Sequence, residues 1–196
     1  MQKGRLEAFS DGVLAIILTI MVLELKVPHG ADFAALKPLL PVFLSYVLSF
    51  VYVGIYWNNH HHLLSSARQI NGSVLWPNLH LLFWLSLVPV STGWMGENHF
   101  ASATLAVYGG ILLASAVAYS ILQNRLIALN GGPDSPLAHA VGRDWKGKLS
   151  PVLYLVGIVS SFGLPWLAGA VYVGVALMWL VPDRRIERTL QASSES

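Results

Sequence analysis

Residues 5–27 read RLEAFSDGVLAIILTIMVLELKV, and this stretch decides the fold. From Leu6 to Val27 its charged positions are Glu7, Asp11, Glu24 and Lys26, all near the two ends. A bilayer core about 30 Å thick is crossed by about 20 apolar helical residues. The stretch therefore predicts a membrane-spanning helix. It is a poor signal peptide, because Glu7 and Asp11 sit where such a peptide is basic or apolar, and no A-x-A-like site follows cleanly.

Further spans are expected over about 38–57, 74–94 and 101–123. Residues 149–182 form a run of 34 without a charge. As one helix this run would reach about 50 Å, too long for a single crossing. Gly163-Leu164-Pro165 is a turn signal near its middle, so two short spans over about 145–162 and 165–181 are expected. The prediction is an all-α integral membrane protein with six transmembrane helices in one domain over 1–190. Gly131–Asp144 reads as a loop and 191–196 as a disordered tail. No internal repeat is visible, since the charged signature of the first helix occurs once.

Composition agrees. The chain has 196 residues, 55% hydrophobic and 11% charged, where a soluble domain carries about 25% charged residues. With a mean hydropathy of +0.58, this excludes an ordinary soluble domain and a disordered chain. Without cysteine the chain has no disulfide scaffold, thiol nucleophile or Cys-ligated zinc site. A net charge of +2 gives no argument for nucleic acid, so charge placement carries the information. Six spans put ten of the twelve basic residues on one face, including Lys3, Arg5, Arg68, Arg125, Arg143 and Arg184. Lys26 and Lys37 lie on the other. The positive-inside rule makes the richer face, with both termini, cytoplasmic. Trp57, Trp76, Trp94, Trp145, Trp166 and Trp179 fall near predicted helix ends, as an aromatic belt would.

In the first helix Phe9, Val13, Ile16, Ile20, Leu23 and Val27 repeat at spacings of four and three, a continuous stripe along one face. Asp11 lies about 140° from Ile16 and points away from it, as does Ser10. The plain reading is that any membrane helix has an apolar stripe and this one packs. A pore reading needs several copies of the stripe around one axis, and one chain supplies one.

Polar residues converge at the same end. The second helix ends Tyr56-Trp57-Asn58-Asn59-His60-His61-His62, and the third begins with Asn78 and His80. A mutually satisfied cluster with Arg5, Ser10 and Asp11 is expected, because unpaired polar groups in hydrocarbon are costly. No pair among His60, His61 and His62 has the i, i+4 spacing of a same-helix chelate, so no metal site and no cofactor are expected.

Arg5-Leu6-Glu7-Ala8-Phe9-Ser10-Asp11 resembles the R-x-x-x-F-S-D signature of the transmembrane protein 175 family, the endolysosomal potassium channels and their bacterial relatives. Trp57 and His60 resemble that family's W-x-x-H at the end of the second helix, and Asn78 with Pro89 its third-helix pattern. By motif the resemblance covers about the first half of the chain, and by hydropathy alone the second. It implies a homotetramer in the cell membrane of a bacterium, with four first helices lining a pore permeable to potassium and other monovalent cations. The family's narrow isoleucine falls on Ile16. Further apolar constrictions fall on Ile20 and Leu23, and a threonine implicated in ion passage falls on Thr19. The family lacks the T-V-G-Y-G carbonyl filter, and so does this sequence. The resemblance thus implies gating by dewetting of apolar rings, modest potassium selectivity and no enzymatic activity. It also implies that Arg5, Ser10 and Asp11 hold the first helix to the second and third through His60 and Asn78. The alternative is a proton-coupled secondary transporter that uses Asp11 and the histidines as a relay. Against it stand the missing repeat and the expectation of no broken helix near the membrane midplane.

Overall fold

The computed structural model describes residues 2–142 and 144–181. Arg143, Arg184 and the 191–196 tail, named above, lie outside them. Helix α1 spans Lys3–Leu23. A 3-10 turn over Phe33–Leu39 leads into α2, Leu40–Ser66. Then come α3 (Gly72–Ser86), α4 (Val88–Glu97) and α5 (Ser102–Leu129). A 3-10 turn at Gly132–Asp134 and the short α6 (Pro136–Val141) precede α7 (Trp145–Ser161) and α8 (Pro165–Leu180). No strand occurs among the described residues. Among the described residues four segments are long and apolar enough to cross a membrane: 3–23, 33–66, 72–97 and 102–129. At 1.5 Å per residue, α7 and α8 are each about 25 Å long.

The boundaries differ from the sequence expectation in four places. First, α1 stops at Leu23, so Val27 leaves the stripe. Val27 precedes Pro28, and the proline ring disfavours a helical conformation in the residue before it. Second, α2 does not end near Trp57 but continues to Ser66. The Asn58–His62 run is polar because of what those side chains face, not because the helix stops. Third, the 74–94 span is broken at Leu87, between α3 and α4. Pro89 has no N–H to offer the Leu85 carbonyl. The Leu87 N–H bonds instead to the Trp84 carbonyl at 3.2 Å. The expectation of an unbroken mid-chain span is therefore corrected. Fourth, the Gly131–Asp144 loop contains α6.

The α7–α8 hairpin falls where Gly163-Leu164-Pro165 placed it, with Pro165 at the start of α8. Asp144 caps α7 by accepting the Gly147 N–H at 3.1 Å.

Two cores hold the bundle. One joins α1, α2, α3 and α5 through Leu14, Met21, Leu64, Leu81 and Leu122. The other is built around Tyr52, Tyr108, Tyr154 and Tyr172, all buried. Burying a phenol demands a partner for its hydroxyl. Tyr52 donates to the Tyr172 carbonyl at 2.6 Å, and Tyr172 to the Leu105 carbonyl at 3.1 Å. Tyr108 bonds Ser49 at 2.9 Å. Gly109 and Gly157 make room for Tyr172: a Cβ at Gly157 would sit 2.3 Å from its ring.

A two-faced first helix and its anchoring network

Leu6, Ser10, Leu14, Ile17 and Met21 recur every three or four residues and form the buried face of α1. The opposite face carries Phe9, Ile16, Ile20 and Leu23. Ile16 is 58% exposed and Leu23 79%. The helix therefore presents to its surroundings the same stripe that periodicity picked out, with Val13 half-buried at its edge. Thr19 is also exposed, and its hydroxyl donates to the Ile16 carbonyl at 2.9 Å.

Ser10 is fully buried and accepts from the Asn78 amide at 3.0 Å. The Asn78 carbonyl oxygen lies 2.7 Å from His60 Nε2. That oxygen can only accept, so Nε2 carries the proton. The chain His60–Asn78–Ser10 thus ties α2 to α3 and α3 to α1 with every member buried. Asp11, one residue on and about 100° round the helix, accepts instead from Trp57 Nε1 of α2 at 3.0 Å. Two neighbouring side chains of α1 therefore grip two different helices.

Arg5 does not join them. It lies about 140° from Ser10 around α1 and is exposed. Lys3, which the motif reading passed over, makes the tie at this end. Its ammonium donates to the Ser65 and Ala67 carbonyls at 2.7 and 2.9 Å, at the C-terminus of α2 where carbonyls lack helical partners. The readable signal was a flexible cation two residues before the motif, positioned to reach a helix end. His61 stacks on Trp57 with ring centroids 6.0 Å apart, and His80 accepts from Trp84 within α3 at 2.9 Å. Neither joins the buried chain.

At the other end of α1, Glu24 lies against Gly93 of α4, where an added Cβ would come within 3.1 Å of its carboxylate. Glu24 does not take Lys26 as its partner. Lys26 bonds Glu97, and that hydrogen bond and charge push the ammonium above its ordinary value.

A helical bundle with long apolar segments and one helix anchored on a single face defines a multi-pass membrane protein. Comparison with known proteins makes this specific. The chain belongs to the TMEM175 family, whose description, endosomal/lysosomal potassium channel TMEM175, matches residues 5–89. A relative from Chryseobacterium sp. (strain P1-3), named a potassium channel, is 56% identical over 97% of this chain and 99% of its own length. The crystal structure of a lysosomal potassium-selective channel TMEM175 homolog from Chamaesiphon minutus superposes with a TM-score of 0.76 at 32% identity, covering 91% of this chain and 96% of that one. The human endosomal/lysosomal proton channel TMEM175 is 40% identical over 35% of this chain and 16% of its own length. The family is one of ion channels, not enzymes.

Proposed function

We propose that the protein is a potassium-permeable cation channel of four identical subunits, each crossing the membrane six times with both termini cytoplasmic. The spans are α1, α2, α3 with α4, α5, α7 and α8. One observation carries this reading. The face of α1 that holds Phe9, Ile16, Ile20 and Leu23 is left open by the described residues, while a buried polar chain fixes the opposite face. Four such faces around one axis make a pore with apolar rings at Ile16, Ile20 and Leu23. Water leaves a narrow apolar ring readily, so the rings close by dewetting and a small rotation of α1 opens them. The Thr19 hydroxyl spends its proton on the Ile16 carbonyl and keeps its lone pairs for a passing cation. Without a carbonyl cage, selectivity for potassium over sodium is modest. Arg5, on the exposed side of α1 at the cytoplasmic mouth, adds positive charge there.

The test is cation flux into liposomes holding the purified protein, under opposing potassium and sodium gradients with a proton ionophore control. Rapid potassium flux without obligatory proton exchange is expected. The alternative reading is a proton-coupled transporter with Asp11 and the histidines as its relay; the interruption at Leu87 is a proline kink, its backbone still helical at φ −86° and ψ −10°. Flux tied strictly to protons would select that reading and overturn the channel.

A further inference from the structure

A groove of about 560 Å³ runs along α2 between α5, α6 and the α7–α8 hairpin, on the far side of α2 from the anchoring network. Its volume falls in the range of ligand sites, about 300–1,000 Å³. Its lining changes character along the helix. Phe50, Val51 and Ile55 form one end, and Asn58, His62 and Lys146 the other. Phe50 to His62 is about 18 Å of helix rise, close to the roughly 15 Å hydrocarbon depth of one leaflet. Apolar depth leading to a polar mouth over that distance fits one acyl chain and its headgroup.

The charges at the mouth narrow the choice. Among the described lining residues Asp144, Lys146, His62 and Tyr119 are titratable, and the Tyr119 hydroxyl is taken up by the Asn59 carbonyl at 3.2 Å. Among the described residues the ion pairs are Lys3–Glu7 and Lys26–Glu97, so Asp144 and Lys146 do not neutralise each other. Lys146 is positioned at headgroup level: its ammonium donates to the Val181 carbonyl at 2.7 Å and lies 6.0 and 5.8 Å from the Trp145 and Trp179 rings. Among the described residues the Asp144 carboxylate accepts only from Gln123 at 3.0 Å and from Gly147 at 3.1 Å, fewer bonds than its lone pairs can take. We infer that this groove seats one membrane phospholipid with a zwitterionic headgroup, its phosphate toward Lys146 and His62 and its ammonium toward Asp144. The inference rests on the membrane-spanning reading above.

Native mass spectrometry of the full detergent-purified chain, offered phosphatidylethanolamine or anionic phosphatidylglycerol, tests it. One phosphatidylethanolamine per subunit is expected, in preference to phosphatidylglycerol. Gly54 lines the groove with nothing within 4 Å of an added Cβ, so Gly54→Leu extends a side chain into the groove from open space. That variant should lose the lipid, and Lys146→Ala should weaken it about tenfold, the scale of one charged hydrogen bond. Val159→Phe, on an exposed face of α7 outside the groove, should change nothing. Should Gly54→Leu unfold on heating earlier than the parent, Lys146→Ala still decides. Equal retention of both lipids, or retention untouched by both variants, would overturn the proposal. So would binding that appears only after residues 182–196 are removed, which would make the chain's own tail the occupant. Binding only to subunits separated from the assembly would make it a neighbouring copy. Lipid retention is read without flux: a chain that holds the lipid and passes no cations sinks the channel reading alone, and the converse result sinks the lipid site alone.

Discussion

Ser10 and Ile16 stand six residues apart on one helix and have opposite fates: Ser10 has no exposed surface, while Ile16 is 58% exposed. Substitutions at the two faces should therefore fail differently. Ile16→Asn places an amide in an apolar ring and should raise resting cation leak severalfold in liposomes with little change in thermal stability. Unchanged leak and selectivity would remove Ile16 from the gate. Asn78→Ala should act through stability, because it strands His60 and Ser10 in the core, at about 1–3 kcal/mol for each orphaned group. A lowered unfolding temperature checks this; an unchanged one would show that the buried chain contributes little. The contrast was legible in the sequence because α1 has a three-and-four spacing, and angular position follows from it directly. The partners were legible only as a cluster. That Asp11 takes Trp57 while Ser10 takes Asn78 depends on where α2 and α3 lie around α1, which spacing within one helix does not contain. Lys3 and Arg5 show the same limit: both are basic and near the motif, and only the position of α2's C-terminus selects Lys3.

Helix existence was readable throughout, because charge-free runs and Gly163-Leu164-Pro165 are strong local signals. Helix ends were readable only where Gly or Pro marks them. The Asn58–His62 run looked like a terminus because polarity usually signals one. In α2 the run serves the groove on one side and the buried chain on the other, so the helix continues to Ser66. The interruption at Leu87 is not legible from apolar length, because Pro89 lies inside a charge-free run that reads as one span. Packing between elements yields a prediction of its own. Gly157→Ala puts a methyl into the Tyr172 ring and should part α7 from α8. Overpacking of this kind costs about 1–3 kcal/mol. Loss of monodisperse protein on size-exclusion chromatography is expected, and normal behaviour would show that Tyr172 can move aside.

For the assembled molecule, the absence of native cysteine offers a clean test. Leu23→Cys gives one thiol per chain, 79% exposed on the subunit and on the proposed axis. A short bifunctional thiol reagent should then yield covalent dimers and nothing larger. Monomers alone would argue against four converging first helices. Asp11→Ala should reduce the yield of the proposed tetramer more than it reduces the current per assembly. Full yield with abolished current would make Asp11 a permeation group and not a clamp. The short α7–α8 hairpin has a consequence of another kind. Two helices of about 25 Å stand in a bundle whose longest, α5, extends about 42 Å. A bilayer meeting the hairpin must thin, or residues flanking the helices must snorkel to the interface, at a modest cost per ångström of mismatch. The hairpin side of each subunit therefore prefers thin bilayers, and sterol-free lipids of decreasing chain length should progressively raise the protein's thermal stability.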